Sequence, residues 1–197
     1  MIPEKILIEF GAQEKKFSKG KFIFSEESEV LFFYQIKTGI VKMSNFSEDG
    51  KEFVQGVFKD GESFGEPPLF DEFPYPANAI SEAETILFRL PKDFFFELLK
   101  NNFDIHLKFT KTLASRISYK AMQMKEFANF KPEHHILTLI DYFKKKNNFS
   151  GDGKYQLTLT RQEIAYLTGL RVETVIRTIK HLERIGELEI RKGKVFR

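Results

Sequence analysis

Hydrophobic spacing changes character at Pro91, and that change limits the fold more than any other feature. Before it, from about Lys16 to Leu90, short runs rich in aromatic and β-branched residues recur: KFIF, VLFFYQI, GIVKMSNF, KEFVQGVF and ETILFRL. Gly20, Gly39, Asp49-Gly50, Asp60-Gly61 and the prolines near Pro67 separate them. Short strands punctuated this regularly predict an all-β sandwich or jelly-roll barrel, with the many Phe residues filling it. After Pro91 the apolar residues recur at helical intervals. The chain is therefore read as α+β, a β domain followed by helices.

Two helices come first, a short one from Asp93 to Lys100 and a long one from Asp104 to about Ala128 without Gly or Pro. Ile105, Phe109, Leu113, Ile117, Met124 and Phe127 are assigned to one stripe of the long helix, interrupted by Arg116 and Lys120. Its own barrel can cover part of such a stripe. The same helix of a second subunit is the expected partner for the rest, which makes the protein a homodimer. Phe130-Lys131-Pro132 marks a boundary, because proline disfavours helix at the residue before it. The expected organisation is residues 1–103 as barrel, 104–130 as dimerisation helix and hinge, and 131–197 as a separate domain. That domain opens with a helix from about Pro132 to Lys146, a loop NNFSGDGK and an alternating strand QLTLT.

The stretch TRQEIAYLTGLRVETVIRTIK follows. Thr160-x-x-Glu163 has the spacing of a capping box, so a helix starts there. Gly169 can take the left-handed conformation that ends it. A second helix from about Arg171 to Ile185 carries Val175, Ile179 and Leu182 on its inner face, and Gly186 stops it. Small Ala165 sits where the two would cross, giving a helix-turn-helix. Glu173, Thr174 and Arg177 lie on the opposite face near the helix start, the end that enters the major groove. Arg can bond both guanine acceptors and Glu can accept from the cytosine amino group. The tail LEIRKGKVFR reads as a hairpin turning at Lys192-Gly193, with Arg191, Lys192 and Lys194 as a basic wing on phosphates. Thr160, Arg161, Gln162, Arg171, Lys180 and Lys192 complete the predicted DNA-binding set around Glu173, Thr174 and Arg177.

Charge agrees with this division. Asn129 to Arg197 holds 14 Lys and Arg against 8 Asp and Glu, whereas the first 128 residues hold 17 against 20. A basic module on a slightly acidic body is the electrostatic footprint of nucleic-acid binding. Other chemistries are excluded or unsupported. Without cysteine there is no disulfide, thiolate metal site, cysteine-ligated iron–sulfur cluster or cysteine nucleophile. The four histidines, His106, His134, His135 and His181, all lie outside the barrel, which argues against a metal-binding cupin. No nucleophile–base–orienter set is visible, so catalytic residues, metal and cofactor are all expected to be absent. The N-terminal MIPEKILIEF carries Glu4 and Glu9 and no long apolar run, which argues against a signal peptide or membrane span and for the cytosol.

In its order of barrel, long helix and winged helix-turn-helix, the chain resembles the cyclic-AMP receptor protein and fumarate–nitrate reduction regulator (Crp/Fnr) family of bacterial transcription factors. Gly39, Asp49-Gly50, Asp60-Gly61 and Phe64-Gly65-Glu66 look like that family's barrel turns, and GLRVETVIR like its recognition helix. The resemblance implies base reading by Glu173 and Arg177. Val172 stands where cyclic-AMP-type members carry Arg, so the helix looks closer to the fumarate–nitrate type, implying a palindrome of TTGA-like half-sites. Ile176 replaces a Ser of that type. RNA polymerase is an implied partner, alongside double-stranded DNA.

The family's phosphate-binding cassette should follow Gly65 and Glu66, within GEPPLFDEFPYPANAI. The Arg and Ser that hold a cyclic nucleotide's phosphate fall on Pro76 and Ala77 here, and Pro67 and Pro68 supply no amide donors. Cyclic AMP is therefore not expected to bind in the family's usual way. Gly65, Glu66, Pro76, Ala77, Asn78 and Lys120 are the residues of a degenerate effector site, for a small molecule that the sequence does not name. The alternative reading is a barrel-based protein-interaction module whose basic domain binds nucleic acid without specificity.

Overall fold

The computed structural model describes residues 2–50, 52–127, 131–150 and 153–197, without the side chains at 123 and 125–127. The place of Phe127 on its stripe, the predicted helix end at Ala128 and the boundary residue Phe130 fall outside the described residues. The chain forms two compact units, residues 1–115 and 116–197.

The first unit begins with helix α1 (Glu4–Glu9) and continues as strands β1 (Gln13–Phe17), β2 (Phe22–Phe24), β3 (Phe32–Thr38), β4 (Ile40–Phe46), β5 (Glu52–Lys59), β6 (Ser63–Phe64), β7 (Asn78–Ser81) and β8 (Thr85–Pro91). Helix α2 (Pro67–Asp71) interrupts the strands, and α3 (Lys92–Asn101) and α4 (Phe103–Phe127) follow them. The strands pair antiparallel as two four-stranded sheets in the orders β1-β8-β3-β6 and β2-β7-β4-β5. Phe24, Tyr34, Ile36, Val41, Met43, Phe64, Tyr75 and Leu87 form one core cluster of this unit.

Strands β3 and β8 are buried on both faces, which explains why VLFFYQI and ETILFRL read as nearly continuous apolar runs. Phe33, Phe88 and Leu90 belong to a second cluster with Leu7, Phe95, Leu98, Leu99 and Phe109, supplied by α1, α3 and α4. The buried Gln35 pins the N-terminal segment to β3: its Nε2 donates to the Ile2 carbonyl at 2.8 Å, and its Oε1 accepts from the Ile2 amide at 2.9 Å. Not every Phe is core. Phe22, Phe46, Phe53, Phe94 and Phe103 are exposed.

Helix α4 corrects the single stripe expected of it. Phe109 is only 2% exposed and packs among Phe33, Phe70 and Phe95 at ring separations of 6.1, 5.9 and 5.4 Å. Ile105 and Leu113 lie half-buried against the same cluster. Ile117 and Met124 instead stand 70% and 73% exposed. Steps of four residues drift by about 40° each around a helix, so 105, 109, 113 and 117 run from one face onto another. Met124 and Ile117 belong with Leu107, Thr110, Ala114 and Ala121, all exposed and alternating in steps of three and four. Ile105, Phe109 and Leu113 thus face the core of their own unit rather than the exposed stripe, and Lys120 lies beside that stripe rather than within it.

In the second unit α5 (Pro132–Lys146), β9 (Gln156–Leu157), α6 (Arg161–Thr168), α7 (Val172–Arg184), β10 (Glu189–Arg191) and β11 (Lys194–Phe196) surround one core. Ile136, Leu139 and Ile140 of α5 meet Ile164 and Ala165 of α6, Val175, Ile179 and Leu182 of α7, and Val195 of β11. The strand expected over QLTLT is confined to Gln156–Leu157, because Thr160 already caps α6. The last turns of α4 join this unit: the Tyr119 hydroxyl donates to the Leu167 carbonyl at 3.2 Å, and its ring lies 4.7 Å from that of Tyr142.

Candidate DNA interface and sensor cassette

Helix α6 starts at a complete capping box. The Thr160 hydroxyl accepts from the Glu163 amide at 3.2 Å, and the Glu163 carboxylate accepts from the Thr160 amide at 2.7 Å. It ends at Gly169, whose φ of 69° an L side chain seldom adopts. Helix α7 buries Val175, Thr178, Ile179 and Leu182 as one face, spaced to match the helical turn. Glu173, Ile176, Arg177 and Lys180 fall on the other face and are exposed, while Thr174 is half-buried at its edge. Arg171, at the N-cap of α7, and Gln162, in the first turn of α6, are also exposed.

Strands β10 and β11 turn at Lys192 and Gly193, both at positive φ, and pair with β9 as a three-stranded sheet. Two features here were not legible in the sequence. Arg161 donates from Nη2 to the Gly193 carbonyl at 3.3 Å, which links the first turn of α6 to the hairpin tip. Burial lowers the pKa of Arg161. Arg191, read as a phosphate contact, makes a 2.5 Å ion pair with Glu189 and lies 5.3 Å from the Phe196 ring centre. Lys192 and Lys194 are exposed at the turn. The C-terminal Arg197 anchors this sheet to α5 through the Leu137 carbonyl at 3.2 Å and Asp141 at 2.6 Å.

In the first unit, Gly65 has a φ of 70°, and a Cβ there would come within 2.8 Å of the Phe24 ring. Glu66 is buried, and its carboxylate accepts from the Ser63 hydroxyl. Pro67 and Pro68 open the five-residue α2. Pro76 is exposed and Ala77 is fully buried, and neither side chain carries a hydrogen-bond donor. The loop is held by the protein's own groups. Asn45 Nδ2 donates to the Pro76 carbonyl and to Glu26 Oε1, both at 2.7 Å, and Gln55 donates to Asn45 Oδ1 at 2.7 Å. Asn78 accepts from the Glu26 amide at 3.0 Å and donates to the Ser44 carbonyl at 3.3 Å.

Between these segments Tyr75 stacks on Phe24 at 3.6 Å, with Tyr34 and Phe64 beside them. Burial, reinforced by Tyr34 and Glu66, pushes the Tyr75 phenol far above its ordinary pKa. Lys120, the remaining residue assigned to this site, is an exposed residue of the second unit.

Residues 14–102 match the cyclic nucleotide-binding domain model, and residues 134–196 match the Crp-like helix-turn-helix domain model. The chain is 31% identical over 170 residues to the cAMP-activated global transcriptional regulator CRP of Pasteurella multocida, covering 84% of this chain and 80% of that protein. The chain belongs to the Crp/Fnr family. The anaerobic regulatory protein of Haemophilus influenzae is 21% identical over 184 residues, covering 92% of this chain and 71% of that one. Among solved structures, CprK complexed with OCPA superposes with a TM-score of 0.77 at 19% identity, covering 98% of this chain and 87% of its own. FixK2 from Bradyrhizobium japonicum gives 0.69 at 19% identity, covering 94% and 91%.

As a Crp/Fnr member the protein is a Crp-like transcription regulator with a helix-turn-helix DNA-binding domain. No helix among the described residues is long and apolar enough to cross a membrane.

Proposed function

We propose that this regulator binds DNA as a homodimer, reads a palindrome of TTGA-like half-sites, and does so without control by cyclic AMP. The observation that carries the reading is the exposed face of α7, where Glu173 and Arg177 stand one turn apart near the helix start, flanked by Arg171 and Lys180. A guanidinium and a carboxylate so placed match the acceptors of guanine and the amino donor of cytosine. Lys192, Lys194 and Gln162 supply phosphate contacts that position the domain without specifying sequence.

The exposed stripe Leu107, Thr110, Ala114, Ile117, Ala121, Met124 supports the dimer. Its three–four spacing is that of a coiled-coil seam, and its alanines permit close approach of two helices. In this division residues 1–103 are the sensor domain, 104–130 the dimerisation helix and hinge, and 131–197 the DNA-binding domain. Two recognition helices then enter successive major grooves ~34 Å apart. RNA polymerase is the proposed protein partner, and the cytoplasm the proposed site of action.

The relatives named above include one cAMP-activated regulator, yet this chain departs from that chemistry. Pro76 and Ala77 offer neither guanidinium nor hydroxyl, the Pro76 carbonyl accepts from Asn45, which is itself held by Gln55, and Glu66 is engaged by Ser63. Any small-molecule effector is of another kind, and it must distinguish two states of the dimer to act.

Selection of the purified full-length protein on random duplex DNA, with and without cyclic AMP and at fixed salt, tests the reading. A TTGA-type palindrome recovered in both conditions supports it. A palindrome recovered only with cyclic AMP overturns the effector assignment, and no motif in either condition overturns base reading.

A further inference from the structure

Ile176 is the one apolar side chain on an otherwise polar exposed arc of α7. It is 40% exposed, three residues after Glu173, immediately before Arg177 and four before Lys180. At 3.6 residues per turn these four side chains span an arc of only about 100°. The buried face, Val175, Thr178, Ile179 and Leu182, points the other way, so Ile176 adds nothing to the core of its own domain. A branched hydrocarbon left in water among Glu, Arg and Lys gains stability only when something apolar covers it. In the major groove one apolar feature distinguishes the base pairs, the C5-methyl group of thymine.

We infer that Ile176 is a specificity-determining residue that packs against a thymine C5-methyl in each half-site. The inference rests on the major-groove reading proposed above. Glu173 and Arg177 recognise by hydrogen bonds and so fix the purine and cytosine positions. Ile176 offers no donor or acceptor and cannot discriminate by hydrogen bonding. It selects thymine over cytosine at a neighbouring position because cytosine lacks the methyl and presents an amino group instead. Burying one methyl-sized group changes affinity about four-fold, hence ~16-fold when both half-sites of a palindrome are altered.

The test replaces thymine by deoxyuridine, symmetrically and one position at a time, in the palindrome recovered by selection. This removes the methyl and leaves every base-pairing group in place. Binding by the intact protein and by Ile176→Ser and Ile176→Val is then measured in competition at fixed salt. At one position the intact protein should lose about 16-fold, Ile176→Val most of that, and Ile176→Ser less than about two-fold. Losses caused by changing the guanine should persist in all three proteins, which shows that the serine variant still docks. Uridine tolerated at every position, a half-site without thymine, or an equal loss in Ile176→Ser each overturns the inference and leaves groove reading standing. Absence of any sequence preference overturns both.

Discussion

The Arg161 guanidinium donates to the Gly193 carbonyl at 3.3 Å, so the residue that opens α6 also holds the tip of the β10–β11 hairpin. An arginine at the start of a helix-turn-helix suggests a phosphate contact. Here part of its donor capacity is directed inward, and the wing that carries Lys192 and Lys194 is oriented by the helix it flanks.

Arg161→Ala should therefore loosen the wing. A single, partly exposed bond of this length is worth ~0.5–1.5 kcal/mol. Amide exchange at residues 191–194 should quicken, and affinity should fall about three- to ten-fold on specific and non-specific duplexes alike. The selected motif should stay the same. A changed motif would place Arg161 on a base.

Arg177→Ala and Lys192→Ala separate base reading from positioning. Loss of a bidentate guanine contact should cost ~1–3 kcal/mol at one base-pair position and flatten preference there. Loss of Lys192 should weaken all sequences nearly equally and lower the salt slope by about 1 per subunit. Binding titrations on the selected site and on single-position variants, at three salt concentrations, measure both. Reversed outcomes would reverse the assignments.

The DNA-binding domain was the more legible half because its signals are local. The Thr160–Glu163 capping box, the Gly169 end and the Val175, Ile179 and Leu182 face all lie within one stretch of sequence, and all appear as expected. What escaped depends on distant partners. Tyr119 meets Leu167, and Arg161 meets Gly193, across separations that periodicity does not carry. Strand β1 escaped because four of its five residues are exposed, so QEKKF shows no apolar run, and β6 because it has two residues. Strand β7 is too short, and too close to Pro76, to stand out.

The cassette yields a stability prediction. Gly65 holds φ at 70°, and a methyl group there would come within 2.8 Å of the Phe24 ring, so Gly65→Ala adds both backbone strain and a clash. It should destabilise the first unit by ~1–3 kcal/mol, visible as a lower melting temperature. Cyclic AMP should shift neither melt. Binding at a hundred times its Kd would add about 2.7 kcal/mol, an unmistakable rise, and observing it would overturn the effector assignment.

The two faces of α4 make the last prediction. Phe109 sits in the aromatic cluster with Phe33, Phe70 and Phe95, whereas Ile117 is 70% exposed on the stripe with Ala114 and Met124. Truncating Phe109 to Ala removes a fully packed ring and should cost ~3–5 kcal/mol of folding stability. Ile117→Glu loses little in the isolated subunit, since its side chain is already in water. In a dimer it sets two carboxylates against each other at an apolar seam. Sedimentation should therefore find Ile117→Glu folded and monomeric, with DNA affinity falling at least ten-fold because a single half-site no longer carries its twin. The Phe109→Ala protein should melt early and still sediment as a dimer below its transition. A dimeric Ile117→Glu protein would move the interface off this stripe, and a monomeric, well-folded Phe109→Ala protein would return Phe109 to it.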